Sequence, residues 1–260
     1  MSRITQALKG KKSLIVFITG GDPNIETTEE LIPSIAEAGA DLIEIGIPFS
    51  DPIAEGPVIQ ASSRRALEDG TTTDKLMKIA AKVRRNVQTP LLFMTYLNPI
   101  YVYGKDRFLS TCRDSGIDGI IVPDMPFEEK KELSEDCLKF GIDLISMVAP
   151  TSHERIAMIA KEAKGFLYCV SSLGVTGMRN TINADIEQVV AQAKKFTDVP
   201  CAIGFGISNP AQAQSMAKIA DGVIVGSAIV KIIEKYGKNS IEPVKEFVKQ
   251  MKQAVVQIPS

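Results

Sequence analysis

Eight times between residues 13 and 225, a short apolar run rich in β-branched residues is followed by a stretch of helical periodicity. The runs are 13–18, 42–47, 91–95, 119–122, 143–148, 166–170, 201–204 and 222–225. Most lack polar alternation, which is the pattern of strands covered on both faces. Helical patterns follow at 27–38, 58–69 and 74–86, 106–114, 127–140, 152–163, 185–196 and 209–218, with two closing helices after 225. A short amphipathic helix over 3–9 leads the chain. The last helix carries Ile241, Val244, Phe247, Val248, Met251 and Val255 on one face. Eight βα units in about 250 residues fit a closed (β/α)8 barrel, the TIM barrel. The runner-up, an open doubly wound sheet, rarely holds eight parallel strands in so few residues. No linker, low-complexity stretch or charge block divides the chain. Residues 1–260 are therefore expected to form a single α/β barrel domain, with a short N-terminal helix and an extra C-terminal helix.

Composition excludes several classes of function. The net charge of −1 leaves no general electrostatic footprint for nucleic acid or an anionic membrane. The first apolar run, 14–18, is too short for a signal-peptide core or a membrane span, so a cytoplasmic protein is expected. Cys112, Cys137, Cys169 and Cys201 form no CxxC pair and read as buried thiols. The only histidine, His153, makes no metal triad, so no metal is expected. No strand run contains lysine, which argues against a Schiff-base aldolase. No GxGxxG follows the first strand, so a dinucleotide is not indicated.

Barrels place their sites at the C-terminal ends of the strands. Two clusters fall there. The first is glycine-rich: Gly174-Val175-Thr176-Gly177, Gly204-Phe205-Gly206 and Gly226-Ser227. Glycines let backbone N–H groups approach a ligand, and Gly226-Ser227 opens a helix, a natural anion site. Tight turns alone are the competing explanation. The second cluster is acidic. Leu42, Glu44 and Gly46 share one strand face, so Glu44 is a carboxylate inside an apolar run. It is either half of a structural ion pair or an acid–base group of raised pKa. No strand run holds Lys, Arg or His to pair with it, which favours the second reading. On spacing alone, Glu55 is an ordinary solvated loop residue. Tyr168 shares a face with Val170 and either reaches a substrate or belongs to the core.

The segment Glu-Ile-Gly-Ile-Pro-Phe-Ser-Asp-Pro-Ile-Ala-Glu-Gly-Pro-Val-Ile-Gln (44–60) resembles the signature of the tryptophan synthase α subunit. So do Thr-Gly-Gly-Asp-Pro (19–23), Met-Thr-Tyr-Leu-Asn-Pro (94–99), Pro-Asp-Met-Pro (123–126), Gly-Val-Thr-Gly (174–177), Gly-Phe-Gly-Ile-Ser (204–208) and Val-Gly-Ser-Ala-Ile-Val (225–230). The match runs in order from about residue 3 to 255. It implies a (β/α)8 barrel lyase that cleaves indole-3-glycerol phosphate to indole and glyceraldehyde 3-phosphate. Glu44 matches the general acid–base. Glu55 matches the second carboxylate, which binds the indole N–H, although the family's best-known members carry Asp there. Tyr168, Phe17 and Ile59 match residues around the substrate. Gly177, Gly206, Gly226 and Ser227 match the phosphate cradle. Thr176 matches a residue of a closing loop, expected over about 173–181 and expected to move when no ligand is bound.

The resemblance further implies an αββα complex with a β subunit, the only chain expected to carry pyridoxal phosphate. Asp51, Pro52, Asn98, Asp124 and Pro126 match positions at or near that interface, where Asp51 and Asp124 are also readable as residues that position loops. Three alternatives stay open at this point. One is a phosphate-binding isomerase or epimerase, another a degenerate α subunit that mainly activates its partner. The third is a free-standing lyase.

Overall fold

The computed structural model describes residues 1–150, 152–170, 179–204 and 206–257, with 179–184 described by backbone alone. Nine strands are present among them: β1 (Ser13–Thr19), β2 (Leu42–Gly46), β3 (Leu91–Met94), β4 (Gly119–Ile121), β5 (Asp143–Leu144), β6 (Ser146–Val148), β7 (Leu167–Val170), β8 (Cys201–Gly204) and β9 (Gly222–Val225). They form one sheet in the order β5-β4-β3-β2-β1-β9-β8-β7-β6, and every pairing is parallel. The two ends of that order are consecutive in the chain, separated only by Ile145. The sheet therefore closes on itself as a (β/α)8 barrel. The fifth expected run is one stave broken in two: β5 pairs with β4, and β6 pairs with β7. Ile145 still donates to the Ile120 carbonyl at 2.9 Å before the chain turns to its other neighbour.

Period-two alternation divides each strand between two cores. Outward residues such as Val16, Ile18, Ile43, Phe93, Ile203 and Val223 pack in the layer beneath the helices. Inward residues (Ile15, Leu42, Leu92, Ile121, Phe166, Ala202 and Ile224) fill the barrel. Ile4 and Leu8 of the leading helix, Arg3–Leu8, join this inner cluster. That helix plugs the barrel floor, and the Thr5 hydroxyl fastens it by donating to the Gly165 carbonyl at 2.9 Å. The closing helix Ile241–Val256 buries Val244, Val248, Met251 and Val255. It packs on the helices Ile25–Glu37 and Pro210–Ile219.

A recurring aspartate pins the N-terminal ends of the staves. Asp41, just before β2, accepts the Leu14 N–H of β1 at 2.7 Å. Asp118, before β4, accepts the Leu91 N–H of β3 at 3.0 Å, and Asp221, before β9, accepts the Cys201 N–H of β8 at 2.9 Å. Each carboxylate also holds a cation: Lys252 at 2.6 Å, Arg84 at 2.7 Å and Lys194 at 2.6 Å. These pairs lie at the N-terminal ends of the strands, where a barrel's stabilising residues are expected.

Local sequence misjudged two helices. Leu97–Tyr103 is helical, in a stretch where the sequence patterns give no helix. Pro99 falls in the first turn, where a missing N–H costs nothing. The Leu97 N–H is satisfied from another loop, by the Asp124 carboxylate at 3.0 and 3.2 Å. The expected helix over 127–140 is a 3-10 turn, Phe127–Glu129, followed by the helix Lys131–Phe140. No helix among the described residues is long and apolar enough to cross a membrane.

Candidate active site

A cavity of about 800 Å³ opens at the C-terminal end of the barrel, within the size range of small-molecule sites. Glu44, Glu55, Tyr168, Phe17, Ile59, Gly206, Gly226 and Ser227 all line it. Thr176 and Gly177 lie outside the described residues, as does the loop expected over 173–181 up to Met178. Asp51, Pro52, Asn98, Asp124 and Pro126 do not line the cavity. Asp51, Asn98 and Pro126 are exposed on the loops and helix that follow the strands, and Asp124 caps Leu97.

Glu44 points inward from the middle of β2, in register with Phe17 of β1 and Leu92 of β3. Its side chain is 1% exposed, and its Oε1 has no hydrogen-bond partner. Among the described residues no cation pairs with it, and the ion-pair reading fails there. Burial alone pushes its carboxyl up to about 8, because a low-dielectric site disfavours the charged form. At neutral pH this carboxyl is mainly protonated and able to donate.

Glu55 belongs to the loop between β2 and the helix Pro57–Glu68, not to a strand. It is half-buried, and its Oε2 is a buried oxygen without a partner. Burial raises its carboxyl to about 7, opposed by the neighbouring Tyr96 hydroxyl. Solvation, the ordinary expectation for a loop glutamate, does not hold. Tyr96, to which the sequence patterns assign no role, supports the Glu55 loop from behind the cavity wall. Its buried hydroxyl accepts the Ala54 N–H at 3.1 Å and so fixes the residue next to Glu55. Its ring lies 5.3 Å from that of Phe49. Its position in Met94-Thr95-Tyr96-Leu97-Asn98-Pro99 was the available signal.

Two glycines make room for the aromatic walls. A Cβ on Gly204 would fall 2.3 Å from the Tyr168 hydroxyl oxygen. One on Gly46 would fall 2.7 Å from Phe17 Cζ. Both rings therefore lie across the barrel mouth only because the neighbouring strand carries no side chain there. Burial, and secondarily the nearby Glu44 carboxyl, hold the Tyr168 phenol far above its usual pKa. That tyrosine remains a neutral hydrogen-bonding group.

The opposite wall is suited to an anion. Gly226 caps the helix Ser227–Tyr236 without a side-chain acceptor. The Ile229 and Val230 N–H groups bond to the Gly226 carbonyl at 2.8 and 3.1 Å. The amides of Ser227 and Ala228 are orphan first-turn donors beside the cavity. Gly206 faces the same space with φ of +77°, a left-handed conformation that favours glycine. Lys231, one turn further along the helix, also lines the cavity. The site thus joins two partly protonated carboxyls, an apolar aromatic slot and an anion-binding helix start. Such a set can move a proton onto an aromatic substrate anchored by a phosphate.

Comparison with known proteins agrees with this geometry. Residues 4–256 match the family model described as tryptophan synthase alpha chain. The tryptophan synthase alpha chain of Thermoanaerobacter sp. (strain X514) is 49% identical over 249 residues, covering 95% of each chain. That of Lacticaseibacillus casei is 45% identical, covering 98% of this chain and 96% of the relative. The crystal structure of the alpha subunit from Legionella pneumophila str. Paris superposes with a TM-score of 0.90 at 38% identity. The match covers 99% of this chain and 100% of that one. A chain of the tryptophan synthase complex from Pyrococcus furiosus gives 0.84 at 37% identity, covering 93% and 98%. The likeness spans the whole fold, and on that ground the chain belongs to the tryptophan synthase alpha chain family.

Proposed function

We propose that Glu44 and Glu55 are the two working carboxylates of this lyase, with the Gly206 and Gly226–Ser227 wall holding the substrate's phosphate. The reaction is retro-aldol cleavage of indole-3-glycerol phosphate to indole and glyceraldehyde 3-phosphate. Glu44, protonated at neutral pH, gives its proton to indole C3. Glu55 in its ionised form accepts the indole N–H and stabilises the positive charge that develops on the ring. Glu44, now a carboxylate, takes the proton of the side-chain hydroxyl next to the ring. The C–C bond then breaks, its electrons return to the indole ring, and the aldehyde leaves. Phe17, Ile59 and Tyr168 wall the ring, while Thr176 and Gly177 complete the loop and the cradle. The observation that carries this reading is that both perturbed carboxyls and the anion-binding helix start line one cavity.

The partner is a tryptophan synthase β subunit, which takes up the indole for tryptophan synthesis. The complex is read as αββα in the cytoplasm, with pyridoxal phosphate confined to the β subunit. The docking surface is read at Asp51, Pro52, Asn98, Asp124 and Pro126. Exposed apolar side chains in the same segments support it, with Ile53 and Val102 each 80% exposed. Indole release from indole-3-glycerol phosphate, measured with and without a β subunit, tests reaction and partner together. Stimulation by the β subunit supports both, and release that ignores it contradicts the docking surface.

A further inference from the structure

The Arg65 guanidinium joins three elements that frame the cavity. Its Nε and Nη2 donate to the two oxygens of Asp22, each at 2.9 Å. Its Nη1 donates to Glu234 at 2.9 Å. Asp22 is 1% exposed and lies three residues past β1, the strand that supplies Phe17. Arg65 sits on the helix Pro57–Glu68, which begins two residues after Glu55 and supplies Ile59. Glu234 sits on the helix Ser227–Tyr236, whose N-terminus forms the anion wall. A second tie on the same side, Thr19 to Ser62 at 2.6 Å between hydroxyl oxygens, reaches β1 but not the anion helix. Among these ties, only the Arg65 fork spans from the carboxylate side of the cavity to the phosphate side. Its geometry is demanding, because a planar fork engages two acceptors at fixed angles where an ammonium could not.

We infer that Arg65 is a positioning residue that sets the separation between the Glu55 side of the cavity and the phosphate-binding helix. The inference rests on the proposed function, since it assumes that phosphate and carboxylates hold opposite ends of one substrate. A fixed phosphate then places the indole ring correctly only if the two walls keep their spacing.

The test uses the complete enzyme with its β subunit and three variants. Glu234→Ala removes the bridge at an exposed position, Glu234→Gln keeps an acceptor for Nη1, and Arg65→Lys removes the fork. For Glu234→Ala and Arg65→Lys, kcat for indole release is expected to fall about tenfold, since small misplacements of reacting groups cost up to ~100-fold. Inhibition by glyceraldehyde 3-phosphate, which needs only the phosphate wall, is expected to stay within about twofold of the parent. Glu234→Gln is expected to restore kcat. The inference is overturned if kcat holds while only the melting temperature drops, or if inhibition weakens in step with kcat. It is equally overturned if Glu234→Gln behaves like Glu234→Ala. Should Arg65→Lys fail to fold, the Glu234 pair decides. Failure of the underlying function is separate, because the parent enzyme would then release no indole.

Discussion

The Tyr96 hydroxyl holds the Ala54 amide at 3.1 Å, one residue before Glu55. A side chain from the end of β3 thereby fixes the loop that carries the second carboxylate. The same hydroxyl restrains the pKa of Glu55, which burial alone would raise further. Tyr96→Phe removes both effects while keeping the ring against Phe49. We expect kcat/KM at pH 7 to fall roughly three- to tenfold, the scale of one ordinary hydrogen bond. The acid limb of its pH profile should move to higher pH. A rate–pH titration of variant and parent checks this, and an unmoved acid limb contradicts it.

The two carboxyls define a narrow window of pH. The account needs Glu55 ionised and Glu44 protonated. Activity is therefore lost as pH falls through about 7, where Glu55 takes up a proton. It is lost again as pH rises through about 8, where Glu44 gives its proton up. A bell-shaped profile of kcat/KM with its maximum between these values is expected, since that parameter reports the free enzyme.

Glu44 also makes a prediction about stability. Its folded pKa, about 8, lies above the ordinary value of 4.5, so the folded state holds a proton that the unfolded chain releases. Stability is fully present below pH 4.5 and declines as pH rises through about 8. Glu44→Gln removes the ionisable group. The variant should match the parent at acid pH and exceed it at pH 9 by up to roughly 5 kcal/mol, at ~1.4 kcal/mol per unit over the rise from 4.5 to about 8. Denaturant unfolding at both values measures the difference. Equal stabilities at pH 9 contradict an unpaired, buried carboxyl.

The glycine facing Tyr168 is a steric requirement. Gly204→Ala puts a methyl group 2.3 Å from the phenol oxygen, so the ring must leave its place. We expect a loss of about 1–3 kcal/mol of stability from overpacking, with a fall in kcat/KM. Thermal unfolding and indole release on the same preparation check both.

Much of this was legible in the sequence, for identifiable reasons. Period-two patterning grouped Glu44 with Leu42 and Gly46 on one face of β2, because alternation follows from the chain alone; that this face is the inner one follows from how the barrel closes. The break at Ile145 was not legible, since it depends on which stave each half meets. The helix Leu97–Tyr103 was missed because its first amide is capped by Asp124, 27 residues further along the chain. The burial of Glu55 escaped for a similar reason: it depends on how the loop folds over the barrel mouth. Spacing alone made that residue a solvated glutamate, and only the family resemblance gave it a role. Tyr96 was quoted within a motif but received no role, because its partner, the Ala54 amide, is a backbone group that no side-chain pattern reveals.

The central claim is that Glu44 is the proton donor. The direct measurement is indole release by Glu44→Gln in the complex with its β subunit, alongside binding of indole-3-propanol phosphate. The account predicts a loss of about 1,000-fold or more in kcat, the scale of a removed general acid, with inhibitor binding retained. Release within about tenfold of the parent, with binding intact, would contradict it.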